Sequence, residues 1–90
     1  MVSSMHSQRY RIFREMLVKA REAAGLTQTE VARRLDKPQS FVSKYERGER
    51  RLDMTEFVEL ADILAIDAAS FLASYRASVG AFMAFKSMGE

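Results

Sequence analysis

Helix punctuation constrains this chain more than any other feature, because between Ala24 and Asp67 a stop or start signal falls every few residues. Tyr10, Phe13, Leu17, Ala20 and Ala24 recur at steps of three and four, which predicts a first helix from about Gln8 to Ala24. Gly25 stops it, since glycine tolerates the left-handed backbone that commonly closes a helix. Thr27, with Glu30 three residues on, forms a capping box and opens a second helix over Gln28 to Leu35, with Val31, Ala32 and Leu35 facing inward. The turn Asp36-Lys37-Pro38 follows, and its proline fixes the backbone ahead of a third helix from about Gln39 to Arg47. Val42 and Tyr45 point inward there, and Gly48 ends the helix. Asp53 and Glu56 make a second capping box before the stripe Phe57, Leu60, Ala61 and Leu64. Asp67 caps a last helix that runs through Phe71, Leu72 and Tyr75 and continues past Gly80 toward Lys86. The expectation is an all-α fold of five helices, with the second and third short, close and joined by a tight turn.

Size and composition exclude several functions. Ninety residues, 48% of them hydrophobic, suit one compact domain and leave no room for a catalytic cleft between domains. There is no cysteine, and the single histidine, His6, lies in the N-terminal stretch, so neither a metal cluster nor a histidine-based relay can be assembled. Acidic pairs such as Glu56 with Glu59 and Glu59 with Asp62 fall on an expected solvent face. The expectation is therefore a protein that is not an enzyme and needs no metal or cofactor. No long apolar run or export leader is present, which points to a soluble, cytoplasmic protein with no membrane contact. Residues 1–7 lack apolar periodicity and read as a flexible arm, residues 8–75 as the domain, and residues 76–90 as a helical extension, together making up the whole protein.

Charge is distributed unevenly. Residues 1–51 hold 12 Lys/Arg against 6 Asp/Glu, net +6, whereas residues 52–90 hold 2 against 6, net −4. A domain polarised in this way can turn its basic side toward a phosphate backbone. On the third helix, Gln39, Ser40, Phe41, Ser43 and Lys44 lie on or beside the outer face, and these are residue types suited to reading bases. Glutamine pairs bidentately with adenine, lysine donates to guanine O6 and N7, and serine serves either partner. Phe41 has two open readings, contact with thymine methyls or a partly buried core position.

The pattern R-x-x-x-G-L-T-Q-x-E-V-A-x-x-L from Arg21, continuing as S-x-V-S-K-Y-E-R-G-x-R-R-L-D-x-x-E-F-x-x-L-A-x-x-L to Leu64, resembles the Cro and lambda-repressor family of XRE-type regulators. The resemblance covers about half the chain closely, and it implies a lambda-repressor-like DNA-binding domain with the helix-turn-helix at helices 2 and 3. It implies that the third helix enters the major groove, that Gln28 docks on a phosphate, and that Arg50 and Arg51 contact the sugar-phosphate backbone, with Lys37 and Arg47 flanking. It further implies a structural salt bridge between Arg21 and Glu46. Glu46 has the alternative of repelling DNA from an exposed position.

The C-terminal stretch carries more apolar surface than one small core needs. Leu72, Tyr75, Val79, Phe82 and Met83 are the expected dimerisation residues, since two-fold operators call for two-fold proteins. The alternative is that these turns fold back on helix 1 and cover Tyr10 and Phe13. Function is expected to be sequence-specific binding of double-stranded DNA as a homodimeric transcriptional repressor. Two rivals are an antitoxin, whose acidic half would hold a toxin protein, and a protein-interaction adaptor that has kept the fold.

Overall fold

Local hydrogen bonds at each predicted boundary define where the helices begin and end. The computed structural model describes residues 7–88. Among these, α1 spans Gln8–Ala23, α2 Gln28–Leu35, α3 Gln39–Arg47, α4 Met54–Ile63 and α5 Ala68–Met88. The expected N-terminal arm lies outside the described residues except for Ser7, and His6 lies outside them too. Ser7 is ordered into the fold, because its hydroxyl accepts the Tyr10 N–H at 3.1 Å and caps α1. No helix among the described residues is long and apolar enough to cross a membrane.

Both capping boxes are formed. Thr27 accepts from the Glu30 N–H at 3.1 Å while the Glu30 carboxylate accepts from the Thr27 N–H at 2.8 Å. Asp53 and Glu56 exchange the equivalent bonds at 2.8 and 2.9 Å. Asp67 opens α5 by accepting from the Ser70 N–H at 2.9 Å. Those backbone donors hold the Glu30, Asp53 and Asp67 carboxyls below the ordinary carboxylate range. Helix α1 closes at Ala23, and Ala24, expected on the inner stripe, is exposed because Gly25 turns the chain at φ +72.

The core is shared by all five helices. Leu17, Val31, Ala32, Val42, Tyr45, Phe57, Leu60, Leu64 and Phe71 form one buried cluster. Helix α3 packs on both α1 and α2, α4 packs on α2, and α5 packs on α1. Ala32 is buried at the α2 and α3 junction, where a larger side chain would push the two short helices apart. Phe13 roots the other half of the molecule. Its ring meets Tyr10 and Phe57 at 5.6 Å, Phe71 at 5.9 Å and Tyr75 at 6.1 Å between centroids, the last two edge-on.

Two glycines at positive φ differ in what surrounds them. At Gly25 an added Cβ would meet open space, whereas at Gly48, with φ +82, it would fall 2.8 Å from Arg14 Nε. Gly25→Ala is expected to cost about 1 kcal/mol from backbone strain alone. Gly48→Ala should cost about 2–3 kcal/mol, because Arg14 must also shift away from the helix end it bonds. Urea midpoints of the two variants test this, and equal losses would mean that Arg14 yields without consequence.

Candidate nucleic-acid interface

Helix α3 is anchored on one side and open on the other. Val42, Tyr45 and Glu46 are buried, a spacing of three and four residues that puts Ser40, Lys44 and Arg47 on the opposite face. These three are exposed, as is Gln39 in the first turn, while Ser43 and Phe41 are half-buried on the flanks. Burial also pushes the Tyr45 phenol well above its ordinary pKa, so the ring stays neutral in the core.

The anchor is a carboxylate. Glu46 leaves only 6% of its side chain in solvent, and Arg21 leaves 15%. Arg21 Nε donates to Glu46 Oε2 at 2.7 Å and its terminal nitrogen to Oε1 at 3.2 Å, so the pair is a fork. That hydrogen-bonded carboxylate raises the Arg21 pKa against the opposing effect of burial. A second arginine on α1, Arg14, donates to the Glu46 carbonyl at 2.7 Å and so meets the negative end of α3. Glu46 is thus held inside the fold instead of facing outward, where it would have repelled DNA.

A polar chain runs from this ion pair to the outer face of α3. Gln28 Nε2 donates to Glu46 Oε1 at 2.8 Å, and Gln28 Oε1 accepts from Gln39 Nε2 at 2.7 Å. The charged acceptor fixes which way the Gln28 amide points, and Gln28 in turn fixes Gln39. Gln39 is left with its oxygen and one N–H, an acceptor and donor pair complementary to adenine N6 and N7. Gln28, expected from the resemblance to grip phosphate, has both ends of its amide engaged inside the protein.

The basic residues differ in how much of their charge is already paired. Arg47 forks onto Glu49 at 2.8 and 3.1 Å and also donates to Ser43 Oγ at 2.7 Å. Arg50 forks onto Glu56 at 3.0 and 2.8 Å, and the same guanidinium, through a hydrogen bond to it, holds the Glu56 carboxyl below the ordinary range. The Arg50 guanidinium also lies 4.5 Å from the Phe41 ring centroid, with Lys37 Nζ at 5.5 Å from it. Phe41 packs against the core, edge-on to Tyr45 at 5.8 Å, so the partly buried reading of this residue describes its position. Arg51 is exposed and stacks on the Tyr10 ring at 4.6 Å.

The five expected dimerisation residues separate into two groups. Val79 is buried within the chain, and Tyr75 packs its ring on Phe13 and donates its hydroxyl to the Arg9 carbonyl at 3.2 Å. These two are corrected from outer surface to intramolecular packing, because α5 folds along α1. Phe82 is half-buried, whereas Leu72 and Met83 are exposed, and Phe85 and Met88 are more exposed still. Two site residues had not been singled out in the sequence. Arg14 could have been found from its seven-residue spacing to Arg21, which puts both on one face of α1; Tyr10 had only its place in the apolar stripe.

Two short helices joined across a tight turn, with an anchored α3 offering a polar outer stripe, define a helix-turn-helix domain. Residues 17–71 match the Helix-turn-helix family model. Among solved structures, the chain is similar to an XRE-family like protein from Pseudomonas syringae pv. tomato, at 44% identity over 83% of this chain and 92% of that one, with a TM-score of 0.77. It is similar in fold to the clp gene regulator ClgR from Corynebacterium glutamicum, at 18% identity over 92% of this chain and 88% of that one, also with a TM-score of 0.77. Comparison with curated proteins gives no match. The chain belongs to the XRE-type helix-turn-helix family of DNA-binding regulators.

Removing one partner of the buried pair should be expensive. Arg21→Ala strands the Glu46 carboxylate with Gln28 alone and is expected to destabilise the domain by about 3 kcal/mol, the low end for a broken buried pair because Arg21 keeps some solvent contact. The double replacement Arg21→Met with Glu46→Leu should cost less than Arg21→Ala. Chemical denaturation of both variants checks the ordering, and a single variant within 0.5 kcal/mol of the parent, roughly the scatter for plain surface changes, would show the pair to be immaterial.

Proposed function

We propose that this chain is a sequence-specific transcriptional repressor that lays α3 in the major groove of duplex DNA and acts as a homodimer. The reading is carried by the orientation of Gln39, which a buried ion pair fixes through Gln28 before any ligand arrives. Gln39, Ser40, Ser43 and Lys44 read base edges, and Phe41 supports them from the flank. Lys37, Arg47 and Arg51 meet phosphates, and the Gln28 backbone N–H at the start of α2 adds to them. Arg50, spent on Glu56, frames the same edge and reaches phosphate only by giving up that fork. Repression by occupancy requires nothing beyond tight binding to the right site.

Homodimerisation is supported by α5. Its 21 residues from Ala68 to Met88 include only Arg76 and Lys86 as charged residues, and Leu72, Met83, Phe85 and Met88 stay exposed. A helix apolar on most of its sides is one that another surface covers. A second copy supplies that surface and the two-fold symmetry of a palindromic operator.

Two outcomes are expected. Lys44→Ala and Gln39→Ala should each relax preference at one or two base pairs by about 1–3 kcal/mol, while Arg51→Ala should weaken binding to every duplex and reduce the slope of log affinity against log salt by about 0.9. Site selection from a random duplex pool, followed by salt titration, separates the two effects; a uniform loss for the first two variants removes them from base reading. Sedimentation of the intact chain at micromolar concentration should give a dimer, and Leu72→Glu with Met83→Glu should shift it to monomer with weakened operator affinity. A parent that sediments as a monomer at full operator affinity rules the dimer out.

A further inference from the structure

We infer that Tyr10 is a positioning residue for the phosphate-contacting loop between α3 and α4, acting through three successive residues of that loop. The inference rests on the interface proposed above. Tyr10 lies in the first turn of α1 with 7% of its surface exposed. Its hydroxyl accepts the Leu52 N–H at 3.1 Å and donates to the Arg50 carbonyl at 3.3 Å. Its ring carries the Arg51 guanidinium at 4.6 Å. One side chain therefore holds the backbone on both sides of Arg51 and the charge of Arg51 itself.

Within the loop Arg50 donates to the Arg51 carbonyl at 2.7 Å, but among the described residues only Tyr10 hydrogen-bonds the backbone of residues 50–52 from a helix. The Glu49 N–H bonds back to the Lys44 carbonyl at 2.8 Å and the Asp53 N–H goes forward to Glu56 at 2.9 Å, so both ends are tied locally. Between those ends, the backbone groups of Arg50 and Leu52 reach across 40 and 42 residues of sequence to a single phenol. A neutral phenol suits the task because it gives and accepts at one oxygen, satisfying a carbonyl and an N–H together. The aromatic face adds direction, since a guanidinium stacked on it keeps its plane while its N–H groups remain free for phosphate oxygens. Holding Arg51 in place beforehand lowers the entropy lost on contact with the backbone.

Tyr10→Phe separates this role from simple packing, because it keeps the ring and its burial while removing both hydroxyl bonds. The variant is expected to stay folded and to bind operator and random duplex more weakly by a similar factor, about three- to tenfold. Its salt slope should fall toward that of Arg51→Ala, which lacks one phosphate contribution of about 0.9. The double variant Tyr10→Phe with Arg51→Ala should match Arg51→Ala alone, since Tyr10 then has no stacked charge left to aim. Tyr10→Leu, which also removes the stacking surface, should lie between Tyr10→Phe and Arg51→Ala in affinity.

A merely structural role gives a different pattern: a parental salt slope for the folded protein, and losses that add in the double variant. That pattern overturns the inference, and Tyr10→Phe delivers it even if Tyr10→Leu fails to fold. An intact chain that binds no duplex at low salt, or an Arg51→Ala variant with the parental slope, overturns the interface itself and this inference with it. A reduced slope for Arg51→Ala beside an unchanged slope for Tyr10→Phe overturns the role of Tyr10 alone.

Discussion

Glu46 places an ionised group where water hardly reaches it, and the surrounding helices are arranged to satisfy that charge. Arg21 comes from α1, Gln28 from α2, and Glu46 itself from the last turn of α3. An isolated carboxylate in such a position would be costly, so the three helices are held in the one arrangement that supplies all the donors. A hydrophobic triad of similar volume could match the stability, but it would not specify the relative rotation of α2 and α3 so narrowly. Directional bonds do, since a fork accepts only a small range of angles.

That directionality reaches the surface through two amides. A glutamine at the start of an exposed helix is ordinarily free to rotate, and an undirected amide discriminates poorly among bases. Here the anion ranks the two ends of Gln28, because its nitrogen must face Glu46, and the remaining oxygen ranks the two ends of Gln39. The arginines follow a different logic. Arg47 and Arg50 are already paired with Glu49 and Glu56, and a phosphate must compete with those carboxylates for them. Among the described residues Arg51 and Lys44 form no ion pair, which would make them the less costly contacts of the proposed interface.

Much of the fold could be read in the chain because its boundaries are local. Thr27 with Glu30, Asp53 with Glu56, and Gly48 act on neighbours within a few residues, so the sequence contains both sides of each interaction. Helices α2 and α3 fall where those signals put them. Contacts spanning 32 to 66 residues are another matter, and Arg14 with Glu46, Tyr10 with Arg50 and Tyr75 with Arg9 are of that kind. Periodicity assigns Tyr75 and Val79 to a face of α5 without saying whether α1 or a second molecule covers it. Lys, Arg and Gln positions likewise reveal which side is basic, but the pairing of each cation appears only once the loops are placed.

Helix α1 emerges as the frame on which α3 and the C-terminal helix are both mounted. Arg14 and Arg21 grip the end of α3, and Tyr10 grips the loop beyond it. Phe13, next to that grip, is the hub through which Phe57 of α4 and Phe71 and Tyr75 of α5 pack. In the proposed dimer, the separation of two reading helices is set by how α5 meets its partner and by how α5 is fixed to α3 within each copy. The second of these passes through one helix whose contacts on both sides are rigid rings and charged forks. A change in the packing of Phe13 would therefore alter the spacing of half-sites without touching any residue of the proposed interface, because a tilt of α5 on α1 moves the two α3 helices together or apart while leaving the outer face of each intact.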